Sequence, residues 1–308
     1  MKSKIGPLDG CQAIVTGVHG FIGKSLVEKL LERGASVLGI DMICAKSTGK
    51  PEGQYDFVQA DFLKEPEKIR LGNRHHKKRV FFHLAGMGNV DACEKNQEQA
   101  FRVNVELTRA TLDFCVQNGV SQFVFPSTGL VYGDQHNQPI GEETELAPSN
   151  HYAHTKMEAE RIIRNYVQES DLCCIILRLA NVYGPGMSSQ SVIGELLAQI
   201  KRAERISLRN YTPVRDFIFI DDVIDGLLAA TCVHEKGVHC FNLSSGTETS
   251  IRDMVLLVAR LVSVPHDATS SERDSKRSYL VMNNRMFRKA TGWEPQYTLQ
   301  DGLKKLLH

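Results

Sequence analysis

The chain has 308 residues, a formal net charge of +1, 42% hydrophobic residues and 24% charged residues. That length suits one large α/β domain, or a nucleotide-binding domain carrying a smaller lobe, and the ordinary composition excludes global disorder. Lys plus Arg (37) nearly cancels Asp plus Glu (36), so no basic field points to nucleic acid or an anionic membrane, and neither is expected as a partner.

The opening MKSKIGPLDG has no apolar signal core, and no apolar run approaches bilayer length. AIVTG (13–17) then reads as a strand, FIGKSLVEKLLERG as a helix closed by Gly34, SVLGID (36–41) as a second strand and YDFVQAD (55–61) as a third. RLGNRHHKKR (70–79) is expected as a solvated basic loop, because no aromatics interleave with its charges. RVFFHLAG (79–86) is nearly all apolar, as in a strand buried on both faces, and a long helix is expected over about 91–118. The strand SQFVFPS (121–127), a helix from near Asn150 and the strand CCIILRLA (173–180) follow. Beyond these, the pattern predicts helices at 191–203, 222–233, 250–262 and over LQDGLKKLL, with strands at 214–220 and 238–244. Strands alternating with helices imply right-handed β-α-β units: a Rossmann-type, doubly wound parallel sheet over residues 1–180. Residues 181–308 are expected to build a smaller substrate-binding lobe, with some later segments returning to the first domain. The eight cysteines make neither C-x-x-C pairs nor zinc spacings with histidine, which predicts reduced, mostly core thiols in a cytoplasmic protein and no metal site.

Two constellations carry chemistry. In T16-G17-V18-H19-G20-F21-I22-G23, three glycines at spacing three lie where a strand turns into a helix. They permit a tight turn, close approach of a pyrophosphate and close helix–strand packing, and the helix N-terminus offers N–H groups to the phosphates. Asp41, ending the second strand, suits the 2′-hydroxyl of a ribose and so favours NAD over NADP, although Lys46 is near enough in sequence to meet a 2′-phosphate instead. In Y152-A-H-T-K156, the spacing of four puts a phenol and an ammonium on one helix face, where the ammonium would lower the phenol's pKa towards general acid/base work. Ser127 and Thr128 end the preceding strand at its carboxyl end, the ligand-binding end of such sheets.

These motifs, together with H83-L-A-G86, R178-L-A-N181-V-Y-G-P-G, R215-D-F-I-F-I-D-D-V, N242-L-S-S-G and the closing T-G-W-E-P, resemble in order those of the extended short-chain dehydrogenase/reductase family. Within it, the pattern is similar to the nucleotide-sugar epimerases and dehydratases, of the UDP-glucose 4-epimerase type. The resemblance implies that Gly17, Gly20, Phe21, Ile22 and Gly23 hold the pyrophosphate of NAD, that Asp41 holds the adenosine ribose, and that Asp61 and Phe62 meet the adenine. Leu84, Ala85 and Gly86 would line the cofactor, with Asn104 contacting it from the long helix. Thr128, Tyr152 and Lys156 would be catalytic, Tyr152 and Lys156 also touching the cofactor; Ser127, Thr128, Tyr152, Asn181, Arg215 and one or both of Arg273 and Arg277 would bind the nucleotide sugar. The family also implies a homodimer through the helices carrying Phe101, Val105, Leu112, Ile162 and Tyr166. The implied reaction is C4 epimerisation through a transient 4-keto sugar. An NAD(P)H-dependent reductase of 4-keto-6-deoxy sugars and a non-catalytic NAD(P)-binding regulator are the alternatives. A dehydratase ranks below these, because S127-T128-G129-L130-V131-Y132-G133 lacks the two carboxylates that loss of water requires at this strand end.

Overall fold

The computed structural model describes residues 8–44, 53–72, 76–168, 170–202, 204, 208, 210–262 and 278–307. The first half runs β1 (Cys11–Thr16), α1 (Phe21–Glu32), β2 (Ser36–Asp41), β3 (Tyr55–Gln59) and β4 (Lys78–His83). It continues with α2 (Val90–Lys95), α3 (Gln97–Phe101), α4 (Leu107–Gln117), β5 (Gln122–Thr128), α5 (His151–Val167) and β6 (Cys173–Leu179). The second half holds β7 (Asn181–Tyr183), α6 (Val192–Lys201), β8 (Val214–Phe219), α7 (Ile220–Ala230), β9 (Gly237–Leu243), β10 (Glu248–Ser250), α8 (Ile251–Val262), β11 (Tyr279–Leu280), α9 (Arg285–Thr291) and α10 (Leu299–Leu307).

Seven strands form one parallel sheet in the order β3-β2-β1-β4-β5-β6-β9. The order reverses between β1 and β4, and that switch point opens a crevice at the carboxyl ends of the strands. Alternation along each strand feeds two apolar layers. Ala13, Val15 and Phe82 pack with Leu26, Leu30, Val223 and Leu227 on one face, and Ile14 and Phe81 with Leu112, Phe123 and Ile163 on the other. A second sheet, in which β8 pairs β7, β10 and β11, stands at the carboxyl end of β6, with only Ala180 between β6 and β7. The strand β9, from beyond residue 181, completes the first sheet against β6.

Local chemistry sets the element ends. Gly34, at φ 84°, stops α1 as its composition predicts. The Asn150 side chain accepts the Ala153 N–H at 2.9 Å and starts α5, and Ser191 does the same for Gly194 before α6. The helix expected over 91–118 is instead broken at Asn96, and residues Arg102–Glu106 form a π-helical stretch between α3 and α4. The strands expected to reach residues 61 and 86 stop at Gln59 and His83. The basic cluster is not all loop, because Lys78 and Arg79 begin β4. There Lys78 Nζ donates to the Thr231 carbonyl at 2.6 Å, and Arg79 reaches Gln12 and the Asn118 carbonyl. All eight cysteines are free; five are buried, Cys240 is half-buried, and Cys44 and Cys232 are exposed.

Candidate active site

The glycine-rich turn is built so that only glycine fits. A Cβ on Gly23 would lie 2.1 Å from the Gly17 carbonyl oxygen, and one on Gly17, at φ 72°, would lie 2.8 Å from the Ala85 nitrogen. The α1 N-terminus has neither a capping side chain nor an acidic residue in its first turn. Its dipole and leading N–H groups are therefore open to an anion, which fits a dinucleotide pyrophosphate. Asp41 ends β2 beside this turn, one carboxylate oxygen accepting the His19 N–H at 3.0 Å and the other the Ile43 N–H at 3.1 Å. Those bonds fix the carboxylate at the carboxyl end of β2, beside the glycine-rich turn. Lys46 lies outside the described residues. Asp61 caps the turn after β3 through the Leu63 N–H. Phe62 does not present its ring to a ligand: it is a core residue, edge-on to Phe114 at 5.4 Å and Phe81 at 6.3 Å, because the chain turns inward once β3 has ended. Only its backbone remains for an adenine.

The loop Leu84–Gly86 is held from behind by a buried polar chain. The Ala85 N–H donates to Thr16 Oγ1 at 3.1 Å, and Thr16 Oγ1 pairs with His83 Nδ1 at 3.0 Å. His83 Nε2 meets Thr108 Oγ1 at 3.1 Å, and that hydroxyl donates to the Asn104 carbonyl at 2.8 Å. Since Thr108 spends its hydrogen on Asn104, His83 must carry its proton on Nε2. Burial, with the Lys156 charge second, depresses the imidazole pKa to about 3, so it is neutral. Asn104 lies in the π-helical stretch. Its Oδ1 accepts the Met87 N–H at 2.8 Å, while Nδ2 donates to the Met87 carbonyl at 3.1 Å and to Thr155 Oγ1 at 2.9 Å. Asn104, expected to contact the cofactor, clamps the 84–87 loop to α5 and sits beside Gly86, with its Oδ1 3.0 Å from where a Cβ on that glycine would stand.

Thr128, Tyr152 and Lys156 come together at the carboxyl end of β5. Thr128 Oγ1 accepts the Leu130 N–H at 3.2 Å, which leaves its hydrogen for an oxygen in the space it shares with the Tyr152 hydroxyl. Lys156 Nζ donates to the Pro126 carbonyl at 2.9 Å and sits 4.4 Å from the centre of the Phe125 ring. Burial pulls this ammonium down to about 8, opposed by Glu160 and Cys93. The phenol of Tyr152 goes the other way, to about 12, through burial first and Cys93 second, and the neighbouring Thr128 hydroxyl offsets only part of that rise. The spacing suggests that Lys156 lowers Tyr152; here the net shift of the phenol is upward and desolvation leads it.

Ser127 faces away from Thr128, as successive strand residues must, and donates to Glu160 Oε1 at 2.6 Å. Its expected contact with a substrate gives way to that buried bond. Glu160 in turn holds Arg178 through Nη2 at 2.7 Å and Nε at 3.2 Å. Neither Glu160 nor Asp216 stood out by spacing, because a buried charge looks like any surface charge in a sequence. Thr128, Leu130, Asn181, Asp216 and Met282 line one small crevice. Asp216 is buried and raised to about 6 by desolvation, although Ser245 and Gly246 donate to its oxygens. Arg215 is half-buried on β8 and donates to the Val214 and Ser278 carbonyls and to Ser278 Oγ. Arg273 and Arg277 lie outside the described residues. Two contacts bring the second half of the chain to the cofactor crevice: a Cβ on Gly186 would stand 3.9 Å from the Phe21 ring, and Asn89 Nδ2 donates to Gln190 Oε1 at 2.7 Å.

The family model described as the NAD dependent epimerase/dehydratase family matches residues 13–244. A UDP-glucose 4-epimerase of Mycolicibacterium smegmatis is 30% identical over 96% of this chain and 96% of its own. Among solved structures, MoeE5 in complex with UDP-glucuronic acid and NAD superposes with a TM-score of 0.83 at 26% identity, covering 96% of this chain and 97% of that one. The UDP-glucose 4-epimerase of Thermotoga maritima with UDP-glucose gives 0.83 at 25% identity, covering 96% of each chain.

Proposed function

From the membership of this chain in the NAD dependent epimerase/dehydratase family, we propose that it is an NAD-dependent UDP-sugar epimerase acting at C4 of the sugar. The observation that carries the reading is the meeting of Thr128 and Tyr152 at the carboxyl end of β5, with Lys156 one helical turn along α5 and tied to the Pro126 carbonyl. NAD, held by the glycine-rich turn and Asp41, would supply a reversible hydride acceptor at C4 of the sugar. The chain's own residues manage the proton. Tyr152 takes it from the sugar hydroxyl and gives it back, Thr128 donates a hydrogen bond to the same oxygen, and Lys156 supplies the positive charge that a phenolate requires.

Gly17, Gly20, Phe21, Ile22 and Gly23 hold the pyrophosphate on the open N-terminus of α1, and Asp41 the ribose, in this reading. Leu84–Gly86 line the cofactor, and Asn104 holds that loop and reaches the cofactor from beside Gly86. Asn181, in the crevice with Thr128, and Arg215 on β8 are proposed to bind the nucleotide diphosphate. We further propose that residues 1–180 carry the cofactor and that later segments, β9 excepted, carry the sugar nucleotide. A cytoplasmic homodimer completes the reading, supported by eight free thiols and by Phe101, 44% exposed on α3. Incubation of the purified protein with UDP-glucose, without added nucleotide, should yield UDP-galactose by chromatography. Net consumption of NADPH on a 4-keto sugar with no epimer formed would replace this reading with that of a reductase.

A further inference from the structure

Residues Gly184–Gln190 carry the chain from β7 to the Ser191 cap of α6. This stretch meets both walls of the crevice that opens between β1 and β4. Towards β1, it meets the first residue of α1: a Cβ on Gly186 would lie 3.9 Å from the Phe21 ring. Towards β4, Gln190 Oε1 accepts from Asn89 Nδ2 at 2.7 Å, and Asn89 ends the loop that begins at Leu84. One segment from the second half of the chain thereby bridges the phosphate turn and the 84–89 loop.

The segment is stiff and anchored at both ends. The Met187 N–H donates to the Gly184 carbonyl at 3.2 Å and closes one turn. Ser191 closes the next on the Ser188 carbonyl, through its N–H at 3.1 Å and its hydroxyl at 2.8 Å, and the Gln190 N–H donates to Ser188 Oγ at 3.2 Å. A Cβ on Gly184 would lie 2.3 Å from Ile220 of α7, and one on Gly194 of α6 2.2 Å from the Ser188 carbonyl oxygen, so the two ends pack flush on those helices. The Asn89 amide is fixed as well. Its Oδ1 accepts the Ala92 N–H at 2.8 Å as the cap of α2, which turns Nδ2 out to Gln190. Between these anchors Pro185, Gly186 and Ser188–Gln190 are exposed. Resting on the reading of this crevice as the NAD site, we propose that Asn89 and Gln190 are positioning residues that latch the Gly184–Gln190 strap across it. Their bond sets how long NAD stays, because a ligand lying between α1 and the 84–89 loop leaves only when the strap parts from Asn89.

The experiment loads the enzyme with labelled NAD, chases with a large excess of unlabelled NAD and follows the bound label with time. Gln190→Met keeps the length of the side chain and loses its acceptor. Asn89→Ser keeps an oxygen to cap α2 and is too short to reach Gln190. Each should release NAD about three- to tenfold faster than the wild type, the range one neutral hydrogen bond commands. The two together should release it no faster than either alone, because they break the same bond. Gln190→Glu retains an acceptor for Asn89 and should hold NAD at least as long as the wild type. The urea midpoint of every variant should match the wild type, which a contact that merely supports the fold would not allow. Wild-type release from Gln190→Met and Asn89→Ser, additive effects in the double variant, a Gln190→Glu that loses NAD as fast as Gln190→Met, or faster release only where the urea midpoint also falls, each overturns the inference. A wild type that binds no labelled NAD refutes instead the reading of the crevice beneath it, and the inference falls with it.

Discussion

The 2.1 Å between an added Cβ on Gly23 and the Gly17 carbonyl oxygen makes the phosphate turn intolerant at a single atom. Gly23→Ala should therefore weaken NAD binding at least about 100-fold, read by quenching of intrinsic fluorescence, without unfolding the sheet. An unchanged affinity would mean that the pyrophosphate lies elsewhere. Tyr152→Phe keeps the ring and loses the acid, so turnover should fall by about three orders of magnitude or more with NAD affinity within about twofold. Lys156 gives a pH test of stability. Its folded pKa, about 8, lies below the ordinary lysine value. Between pH 8 and 10 the unfolded chain thus binds more protons at this lysine, whose own contribution to stability rises with pH across that window, while the thiols raised by burial contribute in the opposite sense. The urea midpoint of the unliganded protein, taken as the difference between wild type and Lys156→Met, should climb from pH 8 to 10, and a flat difference would overturn the lysine's role.

The elements show what periodicity can and cannot reveal. β1, β4 and β6 were legible because strands buried on both faces are apolar runs, and α1 because its glycine stop is a property of single residues. The π-helical stretch Arg102–Glu106 was not legible. One extra residue per turn leaves apolar spacing almost helical, and what the bulge does is turn Asn104 inward towards Met87 and Thr155. The same reason hid Glu160 and Asp216, since only the fold decides which carboxylates are buried. The short strands β7, β10 and β11 are two or three residues long, too few for an alternation to register. Asn104→Ala breaks three hydrogen bonds at once and should cost about 2–4 kcal/mol in chemical denaturation while also loosening NAD. A stability loss with wild-type NAD affinity would separate the clamp from the cofactor site.

At the scale of the molecule, the two sheets are joined covalently at Ala180 and again by polar ties. Asp222, at the start of α7, accepts the Gln296 N–H at 2.7 Å and the Tyr297 N–H at 3.1 Å, while Trp293 Nε1 donates to its carbonyl at 3.1 Å. The T-G-W-E-P segment is thereby a strap holding α10 to the body. On the surface, Phe101 and Val116 are 44% and 46% exposed, whereas Val105, Leu112 and Ile162 of the same helical layer are core. A dimer through this layer would cover the two exposed side chains. Phe101→Glu should then shift the mass in light scattering from two copies to one with activity per site within a few-fold, and a wild-type protein that is already monomeric would refute that arrangement.

The late arrival of β9 has a consequence during synthesis. β6 is buried along its whole length, and its outer edge is paired by residues Gly237–Leu243. Until Leu243 leaves the ribosome, a seven-residue strand that is apolar but for Arg178 stands as a bare edge, and at roughly 5–20 residues per second that interval lasts about 3–13 seconds. An unpaired apolar edge is a template for another nascent chain. Protein made fast and in quantity should therefore aggregate through β6, and slowing translation or adding a holding chaperone should raise the soluble yield with no change in the finished enzyme.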